Sequence, residues 1–203
     1  MTLSSQRTTR PPGRPASATR EQVIEYARQA FLSGKRVDIQ AIAGQLGLSR
    51  ASIYRWFGSR DGVLGAVLAG EFETLLTHAD TRRRSTGAHR ILDVLYRVNC
   101  WMSDNEPFRR YFENEPLSGL RILTASDGPV QPLVVGMVRE LIIRVEQEDG
   151  YHPPLEPALL AYALIRLGEG FLYNDNVAGI RGDVHRLHEV QAALLGIPEA
   201  ITD

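Results

Sequence analysis

Residues 50–60, RASIYRWFGSR, hold the densest set of side chains able to meet a polyanion. Arg50 can donate two parallel hydrogen bonds to guanine O6 and N7, and Ala51 offers a methyl surface for thymine. Ser52 can donate to or accept from a base edge or a phosphate. Tyr54 carries a hydroxyl at the end of a rigid ring, while Arg55 and Arg60 add charge suited to a phosphate backbone. Trp56 either reaches a phosphate or packs the small domain together, and both readings stay open. Ser59 stands where a helix should begin, so free N–H groups beside it can hold a phosphate oxygen. Upstream, Arg10-Pro11-Pro12-Gly13-Arg14-Pro15 sets Arg14 on an extended backbone that suits a narrow minor groove, or else belongs to a passive tail.

Those groups need a scaffold, and the spacing around them supplies one. Thr19 with Gln22 three places on forms a capping-box signature for a first helix starting at residues 18–20 and running to Leu32, where Ser33-Gly34 ends it. Asp38 can cap a second helix to Leu46, with Ile39, Ile42, Ala43 and Leu46 as its buried stripe. Gly47 permits a sharp turn, and Ser49 caps a third helix from Arg50 to Phe57. Helix, glycine turn and capped helix make a helix-turn-helix, which presents the start of its last helix to a major groove. A buried helical hairpin is a poor alternative, because unpaired arginines such as Arg50, Arg55 and Arg60 rarely sit in a core.

The charge distribution agrees. Residues 1–60 carry ten Lys/Arg against three Asp/Glu, a balance of +7, and the remainder carries thirteen against twenty-one, −8. A basic head on an acidic body brings the head alone to a polyanion. The 43% hydrophobic content over 203 residues suffices for a sizeable core, yet no apolar run is long enough to span a bilayer. Residues 1–20 hold no apolar leader segment, which places the protein in the cytoplasm. Cys100 is the single cysteine, no Cys/His cluster has metal-site spacing, and no cofactor motif is present.

Beyond Ser59 the pattern stays helical to the end and no strand pair is evident, so the fold class is all-α. The predicted organisation is a basic arm (1–17), a helix-turn-helix head (18–64) and a helical body (65–203). Helices are expected from Ser59 to Leu76, around Ile91–Met102, from Pro107, at Leu117–Leu123, at Val130–Val145, from Leu155 or Pro157 to Tyr173, and from Asp183 to Leu195. Two of these are candidate dimer elements: Leu159, Leu160, Ala163, Leu164 and Leu167 line one, and Val184, Leu187, Val190, Leu194 and Leu195 the other. Two such helices from each subunit can form a four-helix interface about a two-fold axis, or serve as ordinary core.

Tyr162, Arg166, Glu169 and Tyr173 fall on one face of the first of those helices. They either line a ligand cavity or pair internally, since a buried charge needs a partner. Tyr96, Asn99 and Ser103 can face that stripe, with Trp101, Phe108, Tyr111 and Phe112 as apolar walls, though each aromatic can equally be core.

The run Gly47-Leu48-Ser49-Arg50-Ala51-Ser52-Ile53-Tyr54-Arg55-Trp56-Phe57-Gly58-Ser59-Arg60-Asp61-Gly62-Val63-Leu64 resembles the recognition helix and following helix start of TetR-family regulators. The resemblance implies base contacts from Arg50, Ala51 and Ser52 and phosphate contacts from Tyr54, Trp56 and Arg60, although the family usually has Lys at the last position. It also implies a homodimer on a near-palindromic DNA operator, released by a ligand in the body. A second resemblance, on Leu120-Arg121-Ile122-Leu123-Thr124, Gly128-Pro129-Val130-Gln131-Pro132, Leu160-Ala161-Tyr162-Ala163, Phe171-Leu172-Tyr173-Asn174-Asp175 and Gly179-Ile180-Arg181-Gly182-Asp183-Val184, is to the QsdR branch of that family. That branch is associated with lactone-degrading genes, so a lactone or acyl-lactone effector is implied, with Arg121, Arg166 and Asn174 as carbonyl partners. An architectural DNA-binding dimer without a ligand stays as an alternative. Catalysis has little support: His78, His89, His152, His185 and His188 form no nucleophile or metal constellation, and no glycine-rich phosphate loop follows a strand.

Overall fold

Capping chemistry sets most of the helix starts. In the computed structural model, which describes residues 18–81, 84–174 and 183–198 (for Asn174, the backbone alone), the Thr19 hydroxyl and the Gln22 side chain cap one another's backbone at α1 (Arg20–Leu32). The Asp38 carboxylate accepts from Gln40 N–H at 2.8 Å to open α2 (Ile39–Leu46). Ser49 Oγ accepts from Ser52 N–H at 3.1 Å to open α3 (Arg50–Phe57). Between α2 and α3, Gly47 has φ 63° and ψ 28°, the left-handed conformation that lets the chain reverse without a Cβ penalty.

The helices that follow are α4 (Arg60–Thr81), α5 (Gly87–Asp104), α6 (Glu106–Asn114), α7 (Pro116–Thr124), α8 (Gln131–Asp149), α9 (Pro157–Glu169) and α10 (Val184–Leu194). Among the described residues there is no strand, and the protein is all-α. No described helix is long and apolar enough to cross a membrane. The head core is made by Val23, Ala27, Phe31, Ile39, Ile42, Ala43 and Ile53. The continuous helix α4 carries that core into the body, packing on α1 at one end and on α5, α7 and α8 further along. The predicted boundary at residue 64 therefore falls inside a helix, because Val63, Leu64, Val67 and Leu68 form one uninterrupted buried stripe. In the body α8 lies along α9, and α10 packs against both α5 and α9.

The predicted helix to Tyr173 is a correct stretch with an altered end. After Glu169 the hydrogen bonding switches to a π-helical turn over Gly170–Asn174. Gly168 and Gly170 flank the switch, and two glycines weaken the α-register there.

The body also holds a guanidinium taken fully out of water. Arg90 is 0% exposed, and Asp80, Glu148 and Asp149 bond it from α4 and the end of α8, with Arg90 Nε to Asp80 at 2.8 Å and Nη1 to Glu148 at 2.8 Å. The Asp80 hydrogen bond raises its pKa above the ordinary arginine value against the opposing effect of burial. An ion in such a place costs several kcal/mol unless its donors are satisfied, and here carboxylates meet them.

Candidate DNA interface and effector cavity

The exposed face of α3 is a product of two periodicities. Ile53 turns inward with no exposed surface, so Arg50 with Tyr54, and Ala51 with Arg55, each one helical turn apart, face solvent. Tyr54 is 43% exposed. Among the described residues neither Arg50 nor Arg55 has an ion-pair partner. Ser52 is half-buried, and its hydroxyl lies 3.0 Å from that of Ser49, a contact that leaves it further hydrogen-bonding capacity. Trp56 is also half-buried and packs on the head core, while Arg20 Nη2 donates to its carbonyl at 2.9 Å and the Arg20 guanidinium sits 5.1 Å from the Phe57 ring.

Ser59 Oγ accepts from Gly62 N–H at 3.0 Å and caps α4. The α3–α4 corner is tight: a β-carbon at Gly62 would stand 1.8 Å from the Phe57 carbonyl oxygen. This corner fixes the angle at which α3 leaves the head.

Arg60 departs from its expected role. Its Nη1 and Nη2 bond both carboxylate oxygens of Glu115, at 2.5 and 2.8 Å, and its Nε donates to the Val37 carbonyl at 2.9 Å. A guanidinium with its donors engaged in this way is a tie between head and body rather than a free phosphate ligand. The Arg60 contact holds the Glu115 carboxyl below its ordinary range. Arg14 lies outside the described residues.

In the body, α4, α5, α8, α9 and α10 surround a cavity of about 40 Å3. That is room for a few waters, at about 10–15 Å3 each. Leu95, Val98, Leu123, Val134 and Leu164 give it an apolar wall, and Asn99, Gln131, Glu169, Tyr173 and Gln191 supply its polar groups. Asn99 Nδ2 donates to Gln191 Oε1 at 3.1 Å, and Gln191 Nε2 donates to the Leu164 carbonyl at 3.2 Å. Burial pushes the Glu169 carboxyl up, against the opposing pull of Arg166, whose Nη1 lies 2.6 Å away. Burial also pushes the Tyr173 hydroxyl well above its usual value, and that hydroxyl donates to the weak acceptor Met102 Sδ at 3.6 Å.

Of the predicted ligand residues, Asn99, Glu169 and Tyr173 come together at this cavity. The others whose side chains are described do not line it. Tyr162 is 46% exposed and lies under the Arg166 guanidinium at 5.0 Å. Arg166 stands behind the cavity wall, where it donates to Glu169 and also to the Thr124 carbonyl and Ser126 Oγ, at 3.1 and 3.2 Å. The predicted stripe shares one face, but that face begins in solvent and ends in the core. Arg121 is exposed and ion-paired with Asp61 on α4, away from any carbonyl-binding position. Tyr96 packs on His188 of α10 at 4.8 Å, and Ser103 is half-buried on α5 outside the cavity wall. Trp101, Phe108, Tyr111 and Phe112 belong to an aromatic core cluster. Its end touches the cavity, because Phe112 stacks on Tyr173 at 5.2 Å with rings 4° from parallel. The Asn174 side chain, like the 175–182 segment of the second resemblance, lies outside the described residues.

Gln131 and Gln191 are cavity residues that the sequence reading passed over. A signal existed: Leu187, Gln191 and Leu195 recur one turn apart as a buried stripe, as do Gln131, Val134 and Val138.

These features have counterparts in known proteins. Residues 86–196 match the family described as Tetracyclin repressor-like, C-terminal domain. No curated protein matches the sequence. Among solved structures, the chain is similar to the R. erythropolis transcriptional repressor QsdR from the TetR family, with 26% identity, a TM-score of 0.83, and coverage of 91% of this chain and 97% of that one. The fatty acid degradation regulator FadR from Bacillus halodurans has 13% identity and a TM-score of 0.52, covering 87% of this chain and 97% of its own. FadR from Bacillus subtilis, in complex with stearoyl-CoA, has 11% identity and a TM-score of 0.55, covering 89% and 100%. At those identities the two FadR structures share the fold.

Proposed function

Because the chain belongs to the TetR family of ligand-responsive, DNA-binding transcriptional repressors, we propose that it represses from a palindromic operator as a homodimer and is released by a lactone-type effector. The observation that carries this reading is the outer face of α3, where Arg50 and Arg55 stand in solvent without carboxylate partners. A cation at the start of a helix after a tight turn, as Arg50 is, suits a major groove, and Arg55 in the last turn is placed for the flanking backbone. In this reading Arg50, Ala51 and Ser52 meet bases, Tyr54 and Arg55 meet the backbone, and the 1–17 arm with Arg14 lies along the minor groove. The head (18–64) reads the operator and the body (65–203) pairs and senses.

The pairing surface is the outer edge of α9 and α10. Leu159, Tyr162 and Val190 are large apolar or aromatic side chains left exposed there, with Leu155 exposed just before α9, while Leu160, Leu164 and Leu187 of the same helices are committed to the core. Two copies meeting on that edge give a self-complementary interface and set two α3 helices about one DNA turn, roughly 34–36 Å, apart.

The effector enters beside Glu169. The Asn99, Gln131 and Gln191 amides offer donors and acceptors for a lactone carbonyl and its amide, and the leucine and valine wall takes an acyl chain. The present space is too small for such a molecule, so binding must part the lining. That requirement gives the ligand different affinities for two shapes of the body, the condition for any release mechanism. The ring contacts Tyr173–Phe112, Phe112–Tyr111 and Tyr111–Phe31 run without a gap from the cavity to the head core.

A ligand-free architectural dimer is a second reading, favoured by the internal pairing of Arg166 with Glu169. Footprinting on DNA upstream of the protein's own gene, repeated with a panel of acyl lactones, separates the two. A protected two-half-site element lost on lactone addition is expected. Protection indifferent to every lactone supports the architectural dimer, and no protection at any duplex overturns both.

A further inference from the structure

A second and larger cleft, about 270 Å3, lies between head and body. The end of α1, the loop to α2, the start of α4 and the helix α6 enclose it. Its floor is apolar, formed by Phe31, Val37, Leu64 and Tyr111, and Phe31 meets Tyr111 edge-on at 5.9 Å. Its rim is cationic. Lys35, Arg36, Arg60 and Arg110 line it against the single carboxylate of Glu115. Arg60 and Glu115 neutralise one another through paired hydrogen bonds. Lys35 and Arg36 are exposed and, among the described residues, form no ion pair. Arg110 lies across Gly34 and has Glu106 as its partner, but that pair is exposed on both sides and therefore weak. Arg36 also acts on Glu115 through space, so four cations share this rim with the one carboxylate of Glu115, and positive charge is left over above the apolar floor.

We propose that this cleft is a second small-molecule site, separate from the cavity beside Glu169, and that it takes a small anion, a carboxylate or phosphate monoester, attached to a flat apolar group. The anionic end sits between Lys35, Arg36 and Arg110, where a guanidinium can hold two oxygens at once. The apolar group covers Tyr111 and Phe31. A molecule seated there touches α1 of the head and α6 of the body together, beside the Arg60–Glu115 tie, so it is placed to alter how the two are held.

Equilibrium dialysis of the full chain with labelled phenylacetate and phenyl phosphate tests the site, with neutral benzyl alcohol as the comparison. One molecule of an anionic probe per chain is expected, with benzyl alcohol at least tenfold weaker. The double variant Lys35→Ala/Arg36→Ala changes two exposed loop residues and should keep its melting temperature while losing at least tenfold in probe affinity. Glu169→Gln, in the other cavity, should bind the probes as the wild type does. Binding of phenyl phosphate alone supports the site and assigns phosphate as its head group. Absence of binding by both probes, equal binding of benzyl alcohol, unchanged affinity in the double variant, or loss in Glu169→Gln overturns the proposal.

Discussion

Arg50 and Arg90 carry the same group into opposite circumstances. On α3, Arg50 and Arg55 face water and, among the described residues, pair with no carboxylate. In the body, Arg90 is sealed among Asp80, Glu148 and Asp149, and Arg166 reaches Glu169, Thr124 and Ser126. An arginine whose donors are satisfied inside the chain contributes to shape. One whose donors are left in solvent contributes nothing to the isolated fold and is available to an outside anion. Burial and pairing, more than residue type, separate the two roles.

The contrast breaks most visibly at Arg90. Arg90→Met should take the shared guanidinium away from Asp80 and Asp149, leaving them only Arg144 and the Gly87 N–H, and lower stability by about 3–5 kcal/mol, the usual cost of removing one partner from a buried ion pair. Urea denaturation reads this directly, and a fall in melting temperature of about 10 °C is expected. A loss under 1 kcal/mol would show that the cage relaxes into water and that Arg90 is not the structural extreme assigned to it.

The next effect lies at the body's outer edge. Leu159 is 54% exposed, so Leu159→Glu should leave the monomer fold intact. In a two-fold interface the substitution occurs twice, and a weakening of self-association by about 2–4 kcal/mol is expected. Sedimentation equilibrium would show monomer at concentrations where the wild type pairs. An unchanged oligomeric state would move the pairing surface away from α9.

Arg50→Ala sharpens the comparison from the other side. Stability should stay within about 0.5 kcal/mol of wild type, because nothing among the described residues uses the guanidinium. Discrimination at one operator base pair should fall by about 1–3 kcal/mol. Competition binding against single-base operator variants measures it. Arg60→Ala should differ in kind, loosening the head from the body through loss of the Glu115 pair. If both variants lose only sequence preference, the distinction between free and engaged arginines fails.

The head was legible in the sequence because its determinants are local. Thr19, Asp38 and Ser49 each cap a helix within three residues, and Gly47 turns between two short apolar stripes. Arg60 and Arg121 were misread because their partners lie 55 and 60 residues away, where no periodicity in the sequence points. Tyr162 was misplaced for a different reason. Spacing assigns a face to a helix but does not say how far along its length that face stays covered. Gln131 and Gln191 were readable from their buried stripes, yet a glutamine among apolar residues gives no sign of whether it meets a ligand or another amide. Asn99 answers that for Gln191 at 3.1 Å.

The smallest effect expected is the one that separates the two kinds of paired carboxylate. Arg60 holds the Glu115 carboxyl below the ordinary 4.5, so this pair stabilises the fold above that pH and its contribution is lost as acid protonates the folded group. Glu169 shifts in the other direction, because burial outweighs Arg166. Between 4.5 and its folded value the native state holds the extra proton, so the stability this group contributes is fully present below 4.5 and is lost as pH rises through that interval. Glu115→Gln should therefore be less stable than wild type at neutral pH, by about 1 kcal/mol, with the deficit shrinking on acidification. Glu169→Gln should match or exceed wild type at neutral pH, with the difference closing as the pH falls to 4.5. Denaturation midpoints across the acid range decide it. Parallel curves for the two variants would mean that the tie at the head and the carboxylate at the cavity are electrostatically alike, and that only geometry distinguishes them.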